Sequence, residues 1–390
     1  MNEWKTVRLG DVCEILNGYA FKSDKYVDSG IRVIRITNVQ KGFIEDNSPA
    51  FYPITEQENL KDYELHENDL LISLTGNVGR VALLSKEMLP AALNQRVGCI
   101  RIKDKNLLIS YLFTFLNSDK FEYDCIYSAR GIAQKNMSTE WLKNYIIPLP
   151  PIEVQKKIAN NLNTCTKIIK KHNKQLNNFD LLIKSRFIEM FGDIIQNTKN
   201  WELKSFTEIA KSRLGKMLDT KKQTGKEKYP YLANFNVQWF RFNLENLNEM
   251  DFSEADRIEF ALKDGDLLVC EGGEVGRCAV WHNQIKNCFF QKAVHRVRLN
   301  MDLIHPDYMA YWFKFRSDFN SFDDIVGSKA TIAHLTGEKL KLLQIPVPPL
   351  SLQNNFASFV QQIDKSKFAV QKSLEKAETL YKSLMQEYFG

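Results

Sequence analysis

The chain has 390 residues, of which 44% are hydrophobic and 26% charged, a composition typical of a folded protein that forms hydrophobic cores. This length exceeds that of one ordinary domain and indicates two or three, and the net charge of +6 is compatible with a polyanionic partner without requiring one. No run of eighteen apolar residues occurs, and the first residues lack a basic stretch followed by an apolar one, so we expect neither a membrane-spanning helix nor a signal peptide.

The sequence repeats itself with an offset of 197 or 198 residues. The matching positions are Trp4 and Trp201, residues 38–40 and 236–238, residues 68–72 and 265–269, residues 78–80 and 275–277, and residues 147–151 and 345–349. Gln95 matches Gln291 one residue out of step. A period near 198 residues is far longer than the roughly 20 to 50 residues of solenoid repeats, which indicates a duplicated module of two parts.

The first part of each copy mixes strand and helix patterns. In the first copy, residues 31–36 place β-branched and other apolar side chains at near-alternate positions, which predicts a strand with one face buried. Residues 70–74 and 97–102 predict further strands, and residues 107–116 predict a buried helix. Proline cannot occupy a helix interior, so residues 148–151 form a linker that starts a new element.

After the prolines, apolar residues recur at alternating steps of four and three, the heptad pattern of a helix seam. The first seam comprises Ile158, Leu162, Cys165, Ile169, Leu176, Phe179, Ile183 and Met190, and the second comprises Phe356, Val360, Ile363, Val370, Leu374, Ala377, Tyr381, Leu384 and Tyr388. The polar seam positions His172, Arg186 and Lys367 each match an apolar residue in the other copy.

A single amphipathic helix that packs on its own domain could also show such a seam. Each seam, however, spans about nine turns, or ~50 Å at 1.5 Å per residue, which is longer than a compact domain of this size can cover. We therefore expect the two helices to pack together. Gly192 follows the first seam and is a plausible helix end.

No catalytic or metal-binding motif is recognisable in the sequence. Residues 75–80 resemble a phosphate loop but lack its Gly-Lys-Ser/Thr end, and residues 149–152 resemble the Pro-Pro-aromatic motif of amino-methyltransferases but lack its flanking polar and aromatic residues. Asp69 and Asp266 precede predicted strands and indicate turns rather than catalysis. The 6 histidines have no metal-ligand spacing and the 7 cysteines form no Cys-x-x-Cys pair, so we expect reduced thiols and a cytoplasmic protein.

The whole chain resembles the specificity subunits of type I restriction-modification enzymes. The resemblance rests on the opening Leu9-Gly10-Asp11, on the Gly-x-Val-Gly-Arg-x-Ala loops at 76–82 and 273–279, and on the two proline-to-helix junctions. It implies an α+β fold with two pseudo-symmetric α/β target-recognition domains, separated by two long helices packed as an antiparallel coiled coil. The second copy opens with residues 201–206 and lacks Leu-Gly-Asp, which leaves open whether the two amino-terminal edges are equivalent.

The expected division of the chain follows the repeat. Residues 1–147 form the first target-recognition domain and residues 148–195 the first proline linker and long spacer helix. Residues 196–345 form the second target-recognition domain and residues 346–390 the second linker and spacer helix.

The resemblance implies a non-catalytic subunit that recognises a split, asymmetric site on double-stranded DNA, one half-site per domain. Two methyltransferase subunits are expected to dock on the helical regions, and restriction subunits with translocase activity are expected to join for cleavage. We expect no cofactor and no metal in this chain, with S-adenosylmethionine, ATP and magnesium on the partner subunits, and no association with a membrane.

Amide and guanidinium groups distinguish base edges in the major groove, because they can make two hydrogen bonds to one base. Each copy has loops rich in these groups, and for every candidate the alternative is a solvated loop position. The candidate DNA-binding residues of the first copy are Asn17, Tyr19, Lys22, Asn38, Gln40, Asn77, Arg80, Gln95, Arg96, Arg130, Gln134 and Lys135, and those of the second are Asn236, Gln238, Arg277, Gln291, Lys292, Lys329 and Thr331.

The two copies differ in one of these loops, where Leu74 and Asn77 are replaced by Glu271 and Glu274. A carboxylate is unfavourable beside phosphates but can accept a hydrogen bond from a cytosine amino group, so we expect the two half-sites to differ. A metal-dependent nuclease and a coiled-coil scaffold without DNA binding are the alternatives. Loss of affinity with rising salt, together with a dependence on sequence, distinguishes a DNA-recognition protein from a scaffold.

Overall fold

A computed structural model describes residues 4–129, 136–219, 223–319, 322 and 334–390. The chain forms two compact units, each of which contains one copy of the repeat's globular part. Unit 1 comprises Met1–Asn173 and Lys372–Gly390, and unit 2 comprises Lys174–Gln371. Each unit therefore holds the beginning of one long helix and the end of the other, whereas the predicted division places each helix in a segment of its own.

Unit 1 is built on two four-stranded sheets. The first is antiparallel, with the strand order Cys13–Asn17, Val97–Ile102, Leu70–Ser73 and Val81–Leu83. The second is mixed, with the order Phe51–Tyr52, Ile31–Ile34, Ala91–Leu93 and Glu64–Leu65. Two short pairs join Thr6–Arg8 with Ile146–Pro148 and Val39–Gln40 with Phe43–Ile44. The helices of this globular part are Leu9–Val12, Ile109–Leu116, Asp119–Ser128 and Thr139–Asn144, with 3-10 turns at Ser23–Lys25, Ile54–Glu56, Glu58–Tyr63 and Lys86–Met88.

Unit 2 repeats this plan. Its antiparallel sheet has the order Ala210–Leu214, Val294–Leu299, Leu267–Cys270 and Cys278–Val280, and its mixed sheet has the order Asn248–Asp251, Lys228–Leu232 and Phe289–Phe290. Two short pairs join Glu202–Ser205 with Gln344–Val347 and Val237–Gln238 with Arg241–Phe242. In the residues that the structure describes, the helices of this globular part are Phe206–Ile209, Glu254–Glu259, Pro306–Asp318 and Gly337–Lys341, with a 3-10 turn at Asn234–Asn236.

The amino-terminal edges of the two copies are equivalent, although only the first begins with Leu-Gly-Asp. In both units the first strand pairs antiparallel with the strand before the proline linker. The helix that follows is fastened by the same backbone bond, Leu9 N–H to Tyr145 O at 2.8 Å and Phe206 N–H to Leu343 O at 3.0 Å. Leu9 and Phe206 are both fully buried, so an apolar side chain is what the two copies share at this position.

The predicted elements of the first copy are present: the strand at residues 97–102 has the predicted bounds, and the others are slightly shorter. Residues 31–36 give the strand Ile31–Ile34, and residues 107–116 give the helix Ile109–Leu116. This helix is buried through Tyr111, Leu112 and Phe115, which pack against the antiparallel sheet and the long helices in one hydrophobic core.

The long helices span Ile152–Phe191 and Leu350–Phe389, and the seams predicted from the heptads follow their buried faces. None of the predicted seam positions is exposed, and between residues 361 and 384 the seam positions are the ones that are not exposed. Gly192 ends the first helix with a φ of 76°, a left-handed conformation that favours glycine. In the part of the chain that the structure describes, neither these helices nor any other is long and apolar enough to span a membrane.

The helices run antiparallel within each unit, which confirms the expected coiled-coil arrangement. In unit 1 the beginning of the first helix packs on the end of the second, and Asn161 Nδ2 donates to Tyr388 Oη at 3.1 Å. In unit 2 Ile183 shares a core with Phe356, and the polar seam residue Lys367 pairs with Asp180.

Candidate nucleic-acid interface

Four loops of unit 1 lie together at one end of its antiparallel sheet. We call residues 17–22, 35–40, 74–80 and 94–96 loop cluster 1. Backbone hydrogen bonds join the loops: Tyr19 N–H donates to Leu93 O at 2.8 Å, and Leu74 N–H donates to Arg96 O at 3.0 Å. The loop at 35–40 is attached through Arg80, whose guanidinium donates to Gln40 Oε1. Nine of the predicted DNA-binding residues are therefore placed on adjoining loops.

Unit 2 has the same arrangement in residues 214–218, 233–240, 271–277 and 291–293, which we call loop cluster 2. Lys216 N–H donates to Phe290 O at 3.1 Å and Glu271 N–H donates to Ala293 O at 2.9 Å, the counterparts of the bonds in unit 1. Loop cluster 2 contains five predicted residues, namely Asn236, Gln238, Arg277, Gln291 and Lys292.

The hydrogen bonds correct the sequence match between Gln95 and Gln291. Gln95 N–H donates to Tyr19 O at 2.9 Å, and the equivalent bond in unit 2 runs from Lys292 N–H to Lys216 O at 2.9 Å. The isolated bridge between Tyr19 and Asn94 likewise corresponds to the one between Lys216 and Gln291. The counterpart of Gln95 is therefore Lys292, and the apparent slip in register came from matching side-chain type instead of backbone position.

Glycine is required where two of these loops cross. A Cβ atom on Gly18 would lie 2.2 Å from the carbonyl carbon and oxygen of Asn94, and one on Gly215 would lie 2.3 Å from Gln291 O. Real Cβ atoms do not approach backbone this closely, so a larger residue would separate the loops in either unit. Tyr19 and Lys216 directly follow these glycines. The crossing of the two loops therefore fixes the backbone positions from which both side chains extend.

Asn38 and Asn236 are buried and hold their loops, which corrects their prediction as DNA-contacting residues. Asn38 is 4% exposed; its Oδ1 accepts from Arg35 N–H at 2.9 Å, and its Nδ2 donates to Glu45 O at 2.8 Å. Asn236 is fully buried and makes the same two bonds, with Ala233 N–H and Asn243 O. Since both ends of each amide already bind backbone, these side chains shape the loop and do not face a ligand.

Of the predicted arginines, Arg80 and Arg277 are partly buried, and each is hydrogen-bonded within its own cluster. Gln40, the partner of Arg80, also donates through Nε2 to Thr37 O at 3.0 Å. Gln238 makes the equivalent bond to Phe235 O at 2.8 Å, but the guanidinium of Arg277 binds Asn234 instead, at 2.5 Å from Oδ1.

Asn234 was not among the residues predicted from the sequence. This residue connects two loops, because its Nδ2 also donates to Gly272 O at 2.9 Å. It corresponds to the apolar Ile36 of the first copy, so the repeat contained no signal that could identify it.

The remaining predicted residues with described positions are accessible. Those with exposed side chains are Asn17, Tyr19, Lys22, Asn77, Gln95, Arg96 and Lys292, and Gln291 is half-buried. Tyr19 packs on the rings of Phe21 and Tyr63, with centroids 5.1 and 5.2 Å away. The predicted residues Arg130, Gln134, Lys135, Lys329 and Thr331 lie outside the described residues.

Loop cluster 2 differs from loop cluster 1 in its charge, and the strand that follows its last loop contains a buried histidine. Glu274 is exposed and accepts a hydrogen bond from Trp239 Nε1 at 2.5 Å, which holds its carboxylate at the surface of the cluster. His295 is 1% exposed and occupies the strand position of Gly98 in unit 1. Burial lowers the pKa of His295, although the nearby Glu271 carboxylate and the Leu335 backbone oppose this effect.

Asp69 and Asp266 form turns, as predicted, and each also binds an arginine. Asp69 Oδ2 accepts a hydrogen bond from His66 N–H at 2.8 Å, and it forms an ion pair with Arg101 Nη2 at 2.6 Å. Asp266 Oδ2 accepts a hydrogen bond from Lys263 N–H at 2.7 Å, and Asp266 Oδ1 forms an ion pair with Arg298 Nε at 2.7 Å. These carboxylates are satisfied by turn and sheet contacts.

Among the described residues no group of three or more His, Cys, Asp or Glu side chains is placed to hold a metal ion, and all seven cysteines are free and buried.

Comparison with known proteins identifies the family. The model of the type I restriction modification DNA specificity domain matches residues 1–178 and 198–378. The EcoAI specificity subunit of Escherichia coli is 32% identical over 173 residues, which make up 42% of this chain and only 29% of that subunit. The EcoBI specificity subunit of Escherichia coli is 23% identical over 412 aligned positions, covering 96% of this chain and 81% of that subunit.

A solved structure shows the same fold. The S subunit of a type I restriction-modification system from M. genitalium aligns over 100% of this chain and 97% of its own, with a TM-score of 0.61 and 14% sequence identity. The two ranges matched by the family model each cover a globular part and most of the long helix that follows it. The chain belongs to the family of type I restriction modification DNA specificity domains, and it carries two copies of that domain.

Proposed function

We propose that this chain is the DNA-recognition subunit of a type I restriction-modification complex and that it binds a split, asymmetric DNA site, one half-site per loop cluster. The observation that supports this most directly is the pair of loop clusters. Their backbones are joined by equivalent hydrogen bonds, whereas their exposed side chains differ. Such a pair suits two half-sites that are bound in the same way but differ in sequence.

The exposed side chains have the chemistry that base recognition needs. Amide and guanidinium groups make paired hydrogen bonds to base edges, each pair worth about 1 to 3 kcal/mol of discrimination. Asn77, Gln95 and Arg96 supply these groups in loop cluster 1, and Gln291 supplies one in loop cluster 2. Glu274 adds a carboxylate acceptor that suits the amino group of cytosine.

The partners and chemistry of the complex are part of the same proposal. Two methyltransferase subunits dock on the helical regions, and restriction subunits join them for cleavage. The chain itself is not an enzyme and holds no cofactor, so S-adenosylmethionine, ATP and magnesium act on the partner subunits. The protein works in the cytoplasm, where its thiols remain reduced.

Selection from a random library of double-stranded DNA tests this function. The full chain should enrich two fixed sequences separated by a fixed number of unspecified base pairs, and its affinity should fall steeply as salt rises. Enrichment without any consensus contradicts sequence recognition, and absence of DNA binding at low salt favours the scaffold alternative.

A catalytic assay of the purified chain tests the second part of the proposal. Because the proposal assigns chemistry to the partners, the chain supplied with S-adenosylmethionine or with magnesium should neither methylate nor cut its selected DNA. The matched control is the same chain with added methyltransferase subunits, which should restore methylation. Methyl transfer or cleavage by the chain alone would show that it contains a catalytic site.

A further inference from the structure

The junction where the first long helix leaves its globular part is held by one buried side chain. Gln155 is fully buried in the first turn of the helix. Its Oε1 accepts from Leu108 N–H at 2.9 Å, and its Nε2 donates to Asn106 O and to Pro150 O, both at 2.8 Å. A single amide on the long helix therefore binds both the proline linker and the loop before the buried helix Ile109–Leu116.

A tyrosine completes this junction and connects it to the other long helix. Tyr111 is fully buried, and its hydroxyl donates to Pro148 O at 3.0 Å. Its ring packs on Phe389, at the end of the second long helix, with the centroids 5.9 Å apart. In unit 1 the proline linker and both helices thus meet the globular part at one point.

Unit 2 repeats the junction bond for bond. Gln353 is fully buried and accepts from one backbone N–H and donates to two backbone carbonyls. The bonds of Gln353 and Tyr308 are His305 N–H to Gln353 Oε1 at 2.8 Å, Gln353 Nε2 to Leu303 O at 2.9 Å and to Pro348 O at 2.8 Å, and Tyr308 Oη to Pro346 O at 2.7 Å. The ring of Tyr308 packs on Phe191, at the end of the first long helix, with centroids 4.8 Å apart.

This identity contrasts with the exposed side chains of the loop clusters, which differ between the copies. Arg96 corresponds to Ala293 and Asn77 to Glu274, yet Gln155 and Gln353 keep the same three bonds. After a duplication, positions that bind different DNA sequences are expected to diverge, whereas positions with the same mechanical task are not. The junction belongs to the second class.

We propose that Gln155 and Gln353 are positioning residues that fix the direction in which each long helix leaves its globular part, and that they thereby determine how strictly the spacer between the half-sites is measured. This inference rests on the proposed function. The linker between strand and helix contains two consecutive prolines in each copy, and proline has no N–H to donate. The glutamine amide supplies the missing connections, and without it one backbone N–H and two backbone carbonyls lose this hydrogen-bond partner.

The test is selection from a random duplex library in which spacer length is free, with the full chain and the variant Gln155→Met. Methionine keeps the length and volume of the side chain and removes all three hydrogen bonds. The wild type should enrich two half-sites at one spacer length. The variant should enrich the same half-sites, with its preference for that spacer over one a base pair longer or shorter reduced by about tenfold, a factor equivalent to about 1.4 kcal/mol.

Two further variants keep the test decisive if Gln155→Met folds poorly. Tyr111→Phe keeps the ring on Phe389 but removes the bond to Pro148, so it should broaden the spacer in the same direction by a smaller factor. Gln353→Met should match Gln155→Met, because the junctions are equivalent. Val33→Ala, in a separate small core of unit 1, is the control for general loss of stability and should leave the spacer unchanged.

The outcomes separate the inference from the function on which it rests. An unchanged, single spacer length in folded Gln155→Met and Tyr111→Phe overturns the inference and leaves the function in place. Broadening by Val33→Ala to the same extent also overturns it, since any loss of stability would then suffice. A wild type that enriches no pair of half-sites contradicts the proposed function itself.

Discussion

At the scale of single residues, the loop clusters contain two kinds of amide side chain. Both carry the same chemical group, but one kind is buried and holds the loop, and the other is exposed. Asn38 and Asn236 bind backbone with both ends of their amides, whereas Asn77 and Gln95 are exposed, and their side chains make no such bonds to the described residues. A sequence cannot distinguish the two kinds, because burial and hydrogen bonding depend on which other segments of the folded chain lie beside each residue. The assignment of these loops to DNA binding stays a prediction, and within them the buried Asn38 and Asn236 do not fit the DNA-contacting role that the sequence suggested.

Arg96 allows a test of base recognition at one residue. It is exposed in loop cluster 1, and its counterpart in unit 2 is Ala293. We expect Arg96→Ala to relax one position of one half-site, at a cost of about 1 to 3 kcal/mol, and to leave the other half-site unchanged. Library selection and binding to the selected duplexes measure both effects.

Lys105→Ala is the matched control, because Lys105 is an exposed cation beyond the opposite end of the strand Val97–Ile102. It should leave both half-sites unchanged. If Arg96→Ala weakens binding to all sequences equally and lowers the salt dependence, Arg96 contacts a phosphate and the assignment to base recognition is wrong.

His295 makes the stability of unit 2 sensitive to pH. Its pKa in the folded chain is below its ordinary value of 6.5, mainly because of burial. Below pH 6.5 the unfolded chain therefore binds more protons than the folded chain, so stability is lost as the pH falls from 6.5 toward the lowered value. We expect hydrogen exchange in the strand Val294–Leu299 to accelerate, relative to the variant His295→Leu, at about pH 5.5 but not at about pH 7.5.

The strand Val97–Ile102 of unit 1 is the internal control, because the equivalent position there is Gly98. Its exchange should be the same in both proteins at both pH values. Equal acceleration of Val294–Leu299 in the wild type and in His295→Leu would assign the acid sensitivity to other groups.

At the scale of elements, the predictable features were those with a period. The heptad seams identified both long helices and their buried faces, and the alternation at residues 31–36 identified a strand. The paired strands at the amino-terminal edges could not be predicted, because Thr6–Arg8 and Glu202–Ser205 are too short for a pattern and are fixed by partners about 140 residues away. The compact units were also not predictable from the order of the chain, since each helix contributes to both.

The long helices allow a test of the spacer. Each passes from one unit to the other, between Asn173 and Lys174 in the first helix and between Gln371 and Lys372 in the second. Seven residues inserted at both points keep the heptad register and add about 10.5 Å at 1.5 Å per residue. We expect the selected half-sites to stay the same and their spacer to lengthen by about three base pairs, at 3.4 Å each.

A variant in which residues 170–176 are replaced by another heptad of the same pattern, without insertion, is the control and should keep the original spacer. Circular dichroism checks that the longer helices have formed. A folded insertion variant that binds DNA with its original spacer would show that helix length does not set the spacing.

At the scale of the whole molecule, the proposed function requires that each copy recognises its half-site independently of the other. Each unit has its own antiparallel sheet, its own loop cluster and its own junction, with equivalent hydrogen bonds in both. The globular part of unit 1 also packs on the carboxyl-terminal end of the chain, because Phe115 contacts Phe389 at a centroid distance of 5.2 Å. A transplanted globular part therefore needs aromatic residues at the positions that meet Phe389.

The most direct test of the central claim is to exchange residues 1–147 for the matching domain of a relative that has such aromatic residues, and to identify the half-sites by library selection. We expect one half-site to become that of the donor, while the other half-site and the spacer stay the same. A change in both half-sites, or a change in neither, in a folded chimaera that still binds DNA would contradict the assignment of one half-site to each copy.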